Sequence, residues 1–171
     1  GTTEINGGVF WRTPNSVLQD WKANIKNTLY LDDLMPHFEK HEKLLNVSLS
    51  NTVSEKVNNS SKKLIDSSQR LGWNIVPAPR VVVDCQNSNQ CGAGCPTGAK
   101  QSMSVSYLPM AINKGLVAFT SSKATSVKKI KSGEYKVTAV NKFDNEMIDI
   151  TCQKIILACG AIQTPNFIHK N

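Results

Sequence analysis

The stretch "KIILACGAIQTPNFIHKN", residues 154–171, decides the fold. Ile155 to Cys159 is continuously apolar, the pattern of a strand buried on both faces of a parallel sheet. Gly160 punctuates the run, and "AIQTPNFI" then reads as the start of a helix. A strand–glycine–helix turn lets a ligand approach the backbone closely. A helix start also offers free N–H groups to an anion or an electron-rich ring. Many α/β connections share this pattern, so the turn by itself also reads as a plain tight connection.

Working back from that turn, "LVAFTS" (116–121), "ATSVKKIK" (124–131), "EYKVTAV" (134–140) and "MIDITCQ" (147–153) read as short strands. "KSGE" and "KFDNE" supply turns between the middle ones, which predicts a small antiparallel meander over about 124–152. Residues 13–75 read as helical. Thr13 and Pro14 mark a helix start whose Val17, Leu18 and Trp21 share a face. "LDDLMPHFEKHEKLL" carries acids early and lysines late, with Pro36 placed near its start. A third helix, about Val53 to Leu71, sets Val57, Leu64 and Leu71 at seven-residue intervals. The prolines of "GWNIVPAPRVVVD" keep that segment extended as it enters a cysteine loop over 76–102. "SMSVSYLPMAINKG" then reads as a helix closing on Gly115. The fold class is α/β with an antiparallel β-meander insert and helical segments.

A net charge of +7 raises the question of nucleic acid. The lysines, however, are scattered or paired, as at Lys62-Lys63 and Lys128-Lys129, and aromatics make up only 6% of residues. A solvated basic face fits that pattern better than a nucleic-acid stripe. No run approaches the length of a membrane span. The chain begins at Gly1 rather than Met and reads as a piece of something longer.

"CQNSNQCGAGCPTGAKQS", residues 85–102, holds three of the five cysteines. Cys85, Cys91, Cys95 and Pro96 fall on the C-x2-C-x2-C-x3-C-P ferredoxin run, with Ser88 where the second ligand belongs. Three thiolates with small residues around them suit a three-iron cluster as the metal site. Free thiols or a Cys85–Cys91 disulfide stand beside that reading, with zinc a further alternative. Cys152 and Cys159 sit on predicted strands and read as small core residues. His37 and His41 have the (i, i+4) spacing of a metal pair, but exposed histidines on an amphipathic helix fit the pattern far better. His169 carries no assignment.

"GTTEINGGVFWR", residues 1–12, resembles the first flavin-binding signature of the glucose–methanol–choline oxidoreductase family, and "CGAIQTPNFI" resembles the second. "GCPTGAKQSMSVSYLP" between them is similar to a segment of some dehydrogenases and oxidases of that family. The spacing of Cys85, Cys91 and Cys95, with Pro96 after it, resembles the iron–sulfur loop of certain sugar dehydrogenases of the family. Phe167 and Asn171 depart from the second signature, which usually has an aliphatic residue and a serine there.

The resemblance implies a Rossmann-like FAD-binding domain and oxidation of an alcohol or sugar CH–OH group by hydride transfer to flavin. It further implies that Gly1, Thr2 and Thr3 lie beside the FAD pyrophosphate and ribitol. Asn6, Gly7 and Val9 would lie along the isoalloxazine, and the Ala124 backbone would meet the adenine. Gly160 and Ala161 open the second signature. With a cluster, electrons would leave toward a cytochrome or quinone; without one, the enzyme would be an alcohol oxidase. The family's G-x-G-x-x-G turn, ribose-binding acid and catalytic histidine have no counterpart in these residues, so no catalytic residue is assigned. The chain is expected to be an internal part of the FAD-binding domain, inactive alone. A ferredoxin-like electron carrier is the rival from another class.

Overall fold

The computed structural model describes residues 1–24, 31–48, 59–131 and 133–171, with the side chains of 31–33 left aside. They form two compact units, Gly1–Gly115 and Leu116–Asn171.

The first unit is helical with little sheet. Its helices are α1 (Asn15–Asn24), α2 (Leu31–Leu44), α3 (Asn59–Arg70) and α4 (Tyr107–Ile112). The Pro14 carbonyl accepts the N–H groups of Val17 and Leu18, so the chain turns into α1 where Pro14 predicts it. Of the α1 apolar face only Leu18 is buried. Pro36 lies inside α2 rather than near its start, because the helix already begins at Leu31; one intrahelical bond is forfeited there. Arg12 clasps Glu42 on α2 through two hydrogen bonds of 2.6 Å. Asp32 and Asp33, considered for the cap, and residues 53–58, including Val57, lie outside the described side chains.

The seven-residue apolar spacing misidentifies the buried face of α3. Leu64 and Leu71 are exposed, and the buried residue is Ser68. The Ser68 hydroxyl donates back to the Leu64 carbonyl, which satisfies it without a partner from elsewhere. The chain then runs extended to β2 (Arg80–Val81), which pairs antiparallel with β1 (Val47–Ser48), the short strand that follows α2. Leu45, Val81, Val82 and Ala99 are buried, together with Ser102, Ser106 and Lys100.

The second unit is a meander, β3 (Ser122–Lys129), β4 (Tyr135–Asn141) and β5 (Met147–Cys152), followed by helix α5 (Gln163–Lys170). Both strand pairs are antiparallel, as the alternating sequence predicts. In β5, Ile148, Ile150 and Cys152 share one face while Met147, Asp149 and Thr151 are exposed on the other. The register sets Val127 opposite Val137 and Val137 opposite Ile150, one apolar row across three strands. On the polar face, the Thr138 hydroxyl and Lys136 both reach Asp149, each at 2.7 Å. A bulge between Ala124 and Ser126 leaves Thr125 unpaired, and its hydroxyl donates to the Thr138 carbonyl.

Two predicted strands are absent. "LVAFTS" is irregular until β3 begins at Ser122. "KIILACG" forms no ladder, and Ile156 is 92% exposed. Both edges of β4 are already taken by β3 and β5, and no strand among the described residues adjoins 154–160. Cys159 is consequently exposed rather than a core residue, whereas Cys152 is half-buried on β5.

Candidate functional site

In the first unit, residues 1–9 form a loop pinned against the 80–104 segment. Thr2–Glu4 makes one tight turn in which the Gly1 carbonyl accepts the Glu4 N–H at 3.1 Å. The Thr3 hydroxyl accepts the Met103 N–H at 3.3 Å. Asn6 folds back so that its Oδ1 accepts the Gly8 N–H at 2.9 Å, and the Gly8 carbonyl accepts the Val81 N–H at 2.9 Å. Val9 forms an isolated antiparallel bridge with Arg80. The Ser104 hydroxyl donates to the Glu4 carboxylate at 2.5 Å, and this bond is the main reason that carboxylate is held below its ordinary pKa.

Two cations hold the loop from beneath. Lys100 is 2% exposed and donates to the carbonyls of Glu4 (2.6 Å), Asn6 (2.9 Å) and Cys91 (2.6 Å). Arg80 Nη2 donates to the Gly7 carbonyl at 2.6 Å and to Cys91 Sγ at 3.1 Å. Neither residue stands out in the sequence. A single lysine among small residues, in "TGAKQS", looks solvated, and the groups it binds are backbone carbonyls.

The cysteines do not converge. Cys91 lies in a short 3-10 turn (Cys91–Ala93) with its sulfur held by Arg80. Cys95 lies 3.4 Å from the Thr97 hydroxyl, and that contact, with the Lys100 N–H, lowers its thiol pKa to about 7. Cys85, Cys91 and Cys95 are all free thiols, so the Cys85–Cys91 disulfide is not formed. Among the described residues no three His, Cys, Asp or Glu side chains gather to hold a metal ion. Spacing along the chain is therefore the support for a three-iron site, and the two sulfurs whose partners are known, Cys91 and Cys95, each have a different neighbour. His37 is exposed, while the half-buried His41 hydrogen-bonds the Tyr107 hydroxyl through Nδ1, their rings 5.7 Å apart.

In the second unit Ala124 lines a concavity, while Gly160 and Ala161 follow one of its lining residues, Cys159. The concavity, of about 550 Å³, opens between the start of β3 and α5, lined by Ala124 on one side and Cys159, Gln163 and Phe167 on the other. That volume is in the range of small-molecule sites. Lys123, Lys142 and Lys170 stand around it and supply positive charge. Gly160 and Ala161 lead from Cys159 into α5; Gly160 has φ +90°, and no atom lies within 4 Å of where a Cβ would sit. The Asn171 side chain accepts the Val127 N–H at 3.1 Å and ties the end of α5 to β3.

Each unit has features that fit part of a flavin nucleotide. In the first, Gly1 and Gly7 leave their Cα faces essentially open; in the second, Gly160 does so and the cation-flanked concavity suits a group with an anionic linker. A mixed α/β chain with such a concavity beside a glycine turn is of the cofactor-binding class. The chain belongs to the GMC oxidoreductase family, which matches residues 1–171, and whose N-terminal domain is FAD-binding and Rossmann-like.

It is 26% identical, over its whole length, to a GMC-type oxidoreductase of Sinorhizobium fredii, covering 34% of that protein. A GMC-type oxidoreductase of Mycobacterium tuberculosis is also 26% identical over the whole chain, which covers 27% of it. A long-chain-alcohol oxidase of Arabidopsis thaliana is 22% identical over 98% of the chain and 24% of its own length. The chain thus spans about a quarter to a third of the length of these curated relatives. No solved structure matches it. No helix among the described residues is long and apolar enough to cross a membrane.

Proposed function

We propose that this chain is the flavin-holding part of an enzyme that oxidises the CH–OH group of an alcohol, as a cluster-free oxidase. The observation that carries the reading is the concavity of the second unit. It brings Ala124, Cys159 and Gln163, from separate parts of the sequence, to one place flanked by three lysines. FAD, when bound, supplies the hydride acceptor.

The chain's own residues bind and orient it. The Ala124 backbone, exposed at the β3 bulge, faces the adenine. Lys123, Lys142 and Lys170 lower the cost of holding an anion there. Gly160 and Ala161 let the cofactor approach the start of α5. Gly1, Thr2 and Thr3 receive the pyrophosphate and ribitol, and Asn6, Gly7 and Val9 lie along the isoalloxazine. Separate commitment of the Cys91 and Cys95 sulfurs favours electron exit to oxygen over a relay to a cytochrome or quinone. An alcohol is preferred over a sugar because the Arabidopsis relatives are named long-chain-alcohol oxidases.

The test is the full-length parent protein purified without added cofactor. The expected result is FAD released on denaturation, iron well below one per flavin, and hydrogen peroxide formed with aliphatic alcohols in air. Near three irons per flavin with acid-labile sulfide would restore the relay reading. A protein without flavin would end both.

A further inference from the structure

Lys100 is 2% exposed, and its three polar partners include no carboxylate. A lysine ammonium has three donors and no acceptor, so the carbonyls of Glu4, Asn6 and Cys91 use all of them. Burying such a group is costly unless every donor is matched. An apolar residue would fill the same space more cheaply, so what the ammonium adds is a three-way tie between two segments. Its stem serves too. Gly8 has φ +69°, and a Cβ there would lie 3.4 Å from Lys100 Cγ, so the loop rests directly on the lysine chain. Arg80 repeats the device one residue further along at Gly7 and touches the same Cys91. The carbonyls of residues 4, 6 and 7 are thereby all drawn toward cations.

We propose that Lys100 is a positioning residue of the flavin site, locking the loop of Glu4 to Gly7 to the turn at Cys91 so that the loop keeps one shape against the cofactor. The proposal rests on the flavin reading above. It assigns the "CGAGCPTGAKQS" stretch a purpose without a metal: the stretch supplies both the anchoring lysine and the Cys91 carbonyl that it ties to the loop. Lys100 does not touch the reacting atoms. It acts through the backbone it holds, and a shift of about 1 Å in such a loop costs on the order of 100-fold in rate.

The experiment compares Lys100→Met with Lys62→Met, an exposed lysine on α3, in the full-length FAD-loaded enzyme. Lys62→Met is expected to match the wild type. Lys100→Met is expected to keep FAD, to change the visible circular dichroism of the bound flavin, and to lose about 10- to 100-fold in kcat. KM for the alcohol should stay within about twofold, since uniform binding is untouched. If kcat and the flavin spectrum stay within about twofold while only thermal stability drops, Lys100 is a fold staple and the proposal is wrong. Should Lys100→Met fail to fold, hydrogen exchange on the wild type with and without FAD decides. Protection gained together in residues 1–10 and 88–101 supports the coupling, and protection confined to 1–10 overturns it. A wild-type protein that holds no FAD ends the flavin reading and this proposal with it, an outcome distinct from the others.

Discussion

The two units keep their shapes by different means. Leu116–Asn171 is built on backbone ladders, with β4 paired on both sides and an apolar row of Val127, Val137 and Ile150 crossing it. Gly1–Gly115 has only two-residue strands among its described residues. Its loop at residues 4–8 is held instead by side chains that bind carbonyls, Lys100 and Arg80 above all. A ladder spreads its hydrogen bonds over many residues, so no single side chain decides it. A clamp concentrates them on one atom, and its loss leaves several buried acceptors unmatched at once.

That contrast is broken or sharpened most strongly at Lys100. In urea unfolding of the full-length protein, Lys100→Met is expected to cost about 3 kcal/mol or more, the combined penalty of stranded carbonyls. A loss below about 1 kcal/mol would mean that the first unit is no more concentrated than the second. The second unit has its own singular point at Gly160. Gly160→Ala meets no neighbouring atom but must hold φ +90°, so it should cost about 1–2 kcal/mol through the backbone alone. Weaker FAD retention in that variant would tie the turn to the cofactor.

A smaller effect, read as a rate, is expected at Cys95. The Thr97 hydroxyl and neighbouring N–H groups favour its thiolate and bring the pKa down to about 7. The reactive form is therefore present above that pH and lost below it. Iodoacetamide labelling followed by mass spectrometry should be half-maximal near pH 7 at Cys95; a midpoint above about 8 would show that the Thr97 contact is not kept in solution. The smallest change is expected on the exposed face of the meander. Lys136→Met removes an ion pair whose side chains are each nearly half exposed. Its Tm should move by no more than about 2 °C, because water and salt already screen such a pair. A larger fall would mean that the ladder also hangs on single side chains.

The same contrast explains what could be read beforehand. β5 alternates apolar and polar residues, which only a half-covered strand requires, so the meander was legible. Ala124 and the Gly160 turn were singled out only through their resemblance to family signatures, and of the two Ala124 lines the concavity. Lys100 was not, because its partners are carbonyls that every residue carries. The cysteine spacing records distance along the chain and nothing of where Arg80 and Thr97 draw the sulfurs of Cys91 and Cys95. "LVAFTS" and "KIILACG" misled because strand propensity forms a strand only beside another edge.

The exposed run from Ile155 to Ile162 has a practical consequence. Ile156 and Ile162 are 92% and 82% exposed, and the segment holds no charge between Lys154 and Lys170. Short uncharged stretches of this kind are templates for cross-β stacking, and Lys154 is the sole gatekeeper on its leading side. Residues 116–171 produced alone should therefore deposit as thioflavin-positive aggregates, and placing an aspartate at Ile156 should delay that deposition.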